Sequence, residues 1–151
     1  MRFCQVVAFW PTTLVARTVC GDLYALIDLE NIMSPEFRLL QEAIEDGWNI
    51  SATYKGHHRL MTPHTLGWKK NLEQCLLYQY DGSSSSQSVF RPNSPSNWRC
   101  VHVNQLRDVK LVKGDLRTCT RHTRRQTCID DVLCELDLAL ASAKASERLE
   151  N

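Results

Sequence analysis

The chain lacks a C-x-x-C pair, any apolar run approaching the roughly 20 residues that span a bilayer, and any excess of one charge. Each absence removes a class of protein. Its seven cysteines, at positions 4, 20, 75, 100, 119, 128 and 134, are scattered and odd in number. That pattern argues against a thiolate zinc cage and a disulfide framework, and it points to a reducing, cytoplasmic setting with no metal or other cofactor. The 18 basic and 17 acidic residues nearly cancel, so bulk charge gives no reason to invoke nucleic acid or a membrane surface; only local clustering can. No internal repeat is visible. Near the start, Phe3 to Trp10 is apolar but ends at Pro11 and lacks a small-x-small cleavage pattern, and Val19 is too bulky for a lipoprotein-type signal ending at Cys20. Export is therefore not expected.

What is present reads as one α+β domain, the size expected of 151 residues with a single core. Residues 1–33 are apolar and β-branched, an N-terminal extension with one or two strands. Ser34-Pro35-Glu36-Phe37 then opens a helix: Ser34 caps, Pro35 suits the first helical position, and Glu36 favours the positive end of the dipole. Phe37, Leu40 and Ile44 follow at helical spacing, Leu39 and Ala43 broaden the apolar face, and Gly47 stops it. This amphipathic helix is expected to lie on a sheet.

After Gly47 the period falls from near 3.6 to near 2. Ile50, Ala52 and Tyr54 share one strand face, with Ser51, Thr53 and Lys55 on the other. Lys55-Gly56-His57-His58 reads as a hairpin turn, Arg59 to Thr62 as a strand ending at Pro63, and Gly67 to Asn71 as the next turn. Gln74 to Tyr80 is the most strand-like run, stopped by Asp81-Gly82. Residues 83–97, rich in serine with Pro92 and Pro95, read as a mobile loop, either an exposed excursion or a lid over the strands. Trp98 to Val103 and Val109 to Val112 supply further strands. The main unit thus spans 34–116, and 117–151 is a C-terminal extension with a strand and a helical tail.

Basic, amide and aromatic side chains recur on these strands, which is the material of a binding surface. A guanidinium at Arg59 or Arg99 offers a fixed fork for phosphate, with a solvated strand face as the competing reading. His64 can donate to phosphate or stack on a base, or pack at a strand end. Gln79 lies between Tyr78 and Tyr80, an amide flanked by rings. Trp68 and Trp98 are stacking candidates, Trp98 the better core residue and Trp68 the more open one. Lys69 and Lys70 read chiefly as a solvated turn. Arg117, Arg121, Arg124 and Arg125 with His122 form a basic patch, opposed in sequence by Asp130 and Asp131.

The order helix, Tyr54-Lys55-Gly56-x-x-Arg59, Pro63-His64-x-Leu66-Gly67, an apolar strand with Tyr78 and Gln79, then Trp98-Arg99 and Val103-Asn104-Gln105-Leu106-Arg107-Asp108-Val109 resembles the WYL domain family over about residues 50–112. Cys75-Leu76-Leu77-Tyr78 stands where the namesake tripeptide falls. The resemblance implies a small Sm-like, SH3-like β-barrel that binds or senses nucleic acid or a nucleotide-type ligand, as in bacterial or phage-defence regulators. It also implies that Arg59, His64, Gln79, Arg99 and Arg107 gather on one face. Without the helix-turn-helix that usually precedes the domain, the expectation is a stand-alone, non-enzymatic regulatory module. Two other classes stay open: a protein-interaction subunit, self-associating or bound to a larger chain, and a metal-free nuclease using His64 and His102 as acid and base with Arg99 on the phosphate.

Overall fold

The computed structural model describes residues 33–85, 90–120 and 126–149. The expected N-terminal strands, in residues 1–32, lie outside them. Helix α1 (Pro35–Asp46) is followed by strands β1 (Asn49–Tyr54), β2 (His57–Lys69), β3 (Leu72–Gly82), β4 (Trp98–His102), β5 (Leu106–Val112) and β6 (Asp131–Glu135), and by helix α2 (Leu138–Leu149). The fold is α+β, as the sequence implies, with a six-stranded antiparallel sheet in the order β4-β3-β2-β1-β5 and β6 joined to β2. Among the described residues the sheet is open: β4 and β5 end it without pairing with each other, so these strands do not close into a barrel.

Helix α1 forms for the reasons legible in its sequence. The Ser34 side chain accepts from the Phe37 N–H at 3.2 Å, and Gly47 takes the left-handed conformation (φ +71°) that ends the helix. Its buried residues are Phe37, Leu40, Ala43 and Ile44, which pack on the inner face of the sheet against Ile50, Ala52, Met61, Leu66, Cys75, Leu77 and Val101. Phe37 stacks on Trp68 with ring centroids 5.1 Å apart. A Cβ at Gly47 would stand 2.8 Å from that of Ala141, so the glycine also lets α2 approach α1.

Strand β2 differs from the sequence reading, which ends it at Pro63 and places a turn at Gly67. It runs on through both to Lys69, and only Lys70 and Asn71, at φ +50° and +62°, form the turn. Pro63 is tolerated because β2 changes partner there. On that edge β1 pairs as far as Met61, β6 begins at Thr65, and a missing N–H between them removes no ladder bond on that side. Gly67 belongs to the strand because β6 comes very close: a Cβ there would overlap the Asp131 carbonyl and stand 2.8 Å from Ile129 Cγ2. The segment 117–151 therefore supplies part of the same sheet, and α2 is tied to α1 by the Lys144–Asp46 ion pair at 3.1 Å.

The outer face of the sheet is covered by the chain after β5. Asn49 Nδ2 donates to the carbonyls of Gly114 and Asp115 at 3.2 and 3.1 Å, and its Oδ1 accepts from Thr62 Oγ1 at 2.6 Å. Thr62 Oγ1 in turn accepts from the Arg117 N–H at 3.0 Å. These buried polar groups are thus paired, as burial demands. The described part of the 83–97 loop is likewise tied down: Tyr78 Oη accepts from Ser94 N at 2.9 Å and from Asn97 Nδ2 at 3.1 Å.

The expectation of unpaired cysteines fails at one place. Cys100 on β4 is joined by a disulfide to Cys128, with Cα atoms 5.9 Å apart. The covering segment brings residues 28 apart in sequence together, which spacing alone does not encode. The scatter of cysteines therefore no longer supports a reducing compartment. Among the described residues, no group of three or more His, Cys, Asp or Glu side chains is placed to hold a metal, and no helix is long and apolar enough to cross a membrane.

Candidate functional site

The tight hairpin Tyr54 to His57 sets up one end of the inner face. Ala52 pairs with Arg59 and Tyr54 with His57, so Tyr54 and Arg59 project to the same side one step apart. The Arg59 guanidinium lies over the Tyr54 ring, 5.2 Å from its centroid, and the Lys55 ammonium is 5.4 Å from the same ring. On β3, Met61 faces Gln79; on β4, Leu77 faces Arg99. Arg59, Gln79 and Arg99 therefore sit on one face of three neighbouring strands, with Gln79 in the middle.

Gln79 serves the protein itself. It is fully buried, its Oε1 accepts from Arg59 Nη1 at 3.3 Å, and its Nε2 donates to the carbonyls of Asp81 and Ser83 at 3.2 and 3.1 Å. It steadies Arg59 and the turn after β3. Arg59 is only 5% exposed, yet among the described residues its Nε has no hydrogen-bond partner and no carboxylate forms an ion pair with it. A buried charged donor left unmatched costs about 1–3 kcal/mol or more, so Arg59 is held at the expense of stability. Arg99 donates through Nη1 to the carbonyls of Ser96 and Trp98 at 2.6 and 2.9 Å and lies 5.9 Å from the Phe90 ring centroid. Burial lowers the Arg99 pKa from its ordinary value, and the neighbouring Arg59 charge lowers it further; burial does the same to Arg59, partly offset by Tyr54. The two guanidiniums are thus close enough for the charge of Arg59 to be felt at Arg99.

The remaining candidates do not join this pair. His64 sits at a bulge in β2 on the outer face, its ring edge-on to Trp98 at 4.7 Å, and its Nε2–H donates to the Arg117 carbonyl at 3.0 Å. Trp98 also meets Tyr78 edge-on at 5.1 Å. Arg107 is on the outer face too, because it pairs with Thr53 rather than with Ala52, and it donates to the carbonyls of Asn104 and Leu106 at 2.8 and 2.6 Å. Trp68, read from the sequence as the more open tryptophan, is packed on Phe37 and the core. Lys69 is 3.9 Å from Asp130 and donates to the Thr127 carbonyl, and Lys70 is exposed in its turn. Arg121, Arg124 and Arg125 lie outside the described residues.

Sequence reading missed the two rings behind the guanidiniums, Tyr54 and Phe90. Tyr54 was within reach, since a two-residue turn at Lys55-Gly56 dictates the diagonal to Arg59. For Phe90 the sequence carries no such signal. Two free thiols are poor nucleophiles: burial pushes Cys75 well above its ordinary value, and burial together with Glu45 and Glu135 pushes Cys134 up to about 11.

Burial also pushes the His64 pKa below its ordinary value, against a partial rise from the Arg117 carbonyl. The folded chain thus favours neutral His64, while in the unfolded chain it titrates near 6.5. The unfolded state binds more protons between the two values, so this contribution is fully present above about pH 6.5 and lost as pH falls through the lowered folded value. Urea midpoints measured from pH 7.5 down to 5 should decline in the native protein and decline less in His64→Gln. Equal slopes would remove His64 as the cause.

The described residues define an α+β domain with an open antiparallel sheet that carries Arg59 and Arg99 on its inner face. No family model, curated protein or solved structure matches the chain.

Proposed function

We propose that this protein is a non-enzymatic binding or sensor module that takes a nucleic acid or a nucleotide-type ligand at the Arg59–Arg99 pair. The observation that carries the reading is Arg59: a buried arginine with an unmatched Nε and the Arg99 guanidinium as its neighbour. A fold gains nothing from that arrangement unless an anion compensates it. Phosphate is the anion that a pair of planar forks suits best, and Tyr54 and Phe90 add ring faces beside it. A WYL-like regulatory role and a curled, Sm-like arrangement of the strands belong to this proposal. In its favour, β1 and β6 share one edge of β2, with a register shift in β2 at the handover, as a strand turning a barrel corner requires.

The test is a fluorescence anisotropy screen of the purified protein against nucleotides and short RNA and DNA across salt concentrations. Each charge-assisted hydrogen bond is worth about 1.5–3 kcal/mol, so Arg59→Gln and Arg99→Gln should each weaken binding by about tenfold to a hundredfold and flatten the salt dependence by about one unit of log–log slope. Arg99 is on an edge strand, so its variant should keep the native melting temperature. Unchanged binding in both variants would overturn the assignment.

A further inference from the structure

Cys100, one step along β4 from the inward-facing Arg99, meets Cys128 on the outer face of the sheet. We propose that the two cysteines form a redox-active pair, cycling between disulfide and dithiol by exchange with an external thiol, and not a permanent staple. No ligand at Arg59 and Arg99 is needed for this.

Gln74 is the first reason. It is 7% exposed and lies on β3 opposite His102. Among the described residues its side chain spends nothing on the rest of the fold: Nε2 meets His102 Nδ1 at 3.3 Å, and Oε1 lies 3.3 and 3.7 Å from the sulfurs of Cys100 and Cys128. With Nε2 donating to His102, the carbonyl oxygen is turned to the sulfur pair. A disulfide has no hydrogen to give it. Two thiols do, so this nearly buried acceptor is satisfied by its neighbours only when the pair is reduced. A permanent staple is better served by an apolar residue in that place; the amide favours the dithiol.

Access is the second. Cys100 is exposed and Cys128 half-buried, so an incoming thiolate meets Cys100 first. The third is that each cysteine is held by bonds that reduction leaves intact. Cys100 pairs with Leu76 in the ladder between β3 and β4. Gln126 Oε1 accepts from the N–H groups of Cys128 and Ile129, both at 2.9 Å, Ile129 is buried, and the Asp130 N–H donates to the Trp68 carbonyl at 3.0 Å. The sulfurs therefore stay within reach once the bond opens, and closure is reversible. In the reductive direction an external thiolate attacks Cys100 Sγ, the bond between the two cysteines breaks, and its electron pair leaves on Cys128 Sγ. A second external thiolate then attacks the external sulfur of the mixed disulfide and releases Cys100 Sγ. Both cysteines end as thiols, carrying the two protons that the external thiols gave up. The external pair ends as its own disulfide, two electrons having passed to the protein.

The experiment equilibrates the full chain in glutathione buffers of graded reduced-to-oxidised ratio, alkylates the free thiols, and reads each cysteine by peptide mass, with far-ultraviolet circular dichroism on the same samples. Cys100 and Cys128 should become labelled together in one two-electron transition while the native spectrum is kept, and should close again in oxidised glutathione. Gln74→Leu removes the acceptor and keeps most of the volume, so it should move the transition toward the disulfide by about two- to fivefold in equilibrium constant. A merely structural bond has no such dependence. A disulfide that glutathione leaves closed, or opens only together with the fold, would overturn the proposal, and so would a transition that Gln74→Leu leaves in place. If Gln74→Leu does not fold, reversible opening in the native protein decides the matter alone.

Discussion

Reduction of the Cys100–Cys128 disulfide should lower the stability by roughly 2.5–3 kcal/mol. The closed segment spans 28 residues, and the chain entropy released to the unfolded state by cutting a loop of that length is worth about 3.5 kcal/mol. Part is returned in the folded state. Gln74 Oε1 lies 3.3 Å from Cys100 Sγ and 3.7 Å from Cys128 Sγ, and only as thiols do these sulfurs carry hydrogens for it, a gain of order 0.5–1 kcal/mol. The bond also has a local consequence. Among the described residues β4 pairs with no strand but β3, and Arg99 immediately precedes Cys100 on it. Cys128 belongs to a segment fixed to β2 by Asp130 N–H donating to the Trp68 carbonyl at 3.0 Å and by buried Ile129. Urea unfolding of the native protein with and without reductant, and of Cys100→Ser, measures the effect. A midpoint unmoved by reductant would show that the bond does not form or does not constrain the chain.

Replacing Phe37 with alanine should cost about 3–5 kcal/mol, the range for deleting a fully enclosed aromatic ring. Phe37 is 0% exposed and joins three parts of the core: the first turn of α1, the Trp68 ring at 5.1 Å, and the inner face of the sheet. Its neighbours are held by backbone pairing on both sides of β2, so they cannot collapse into the space. Phe37→Leu, which refills most of the volume, should lose less. Far-ultraviolet circular dichroism during urea titration reads both. A loss below about 1 kcal/mol for the alanine variant would contradict the packing of α1 on the sheet.

The local elements were legible because their causes are local. Ser34, Pro35 and Gly47 bracket α1 by satisfying or ending its own backbone bonds, and Phe37, Leu40, Ala43 and Ile44 mark its buried face by spacing alone. The hairpin after Tyr54 is legible for the same reason, but the turn read over Lys55 to His58 narrows to Lys55 and Gly56, whose φ of +50° and +78° suit a two-residue turn, and His57 and His58 already belong to β2. Strand β2 was misread at Pro63 and Gly67 because both residues are explained by β6, which lies more than 60 positions further on in the chain. Their usual meaning as breakers was overridden by a neighbour that the sequence does not announce.

The sequence by itself determined the α+β composition, the helix with its caps, the alternating strands, and the placing of Arg59 and Arg99 on them. Tertiary structure alone decided how they combine. The hairpin register and the β3 and β4 ladders put Arg59 and Arg99 on the inner face, while His64 and Arg107 fell on the outer one. It turned Gln79 from a candidate reader of bases into the buried amide that steadies Arg59. The physical reason is the twofold period of a strand: one bulge or one step of register moves a side chain to the opposite face, and register is fixed by partners distant in the chain.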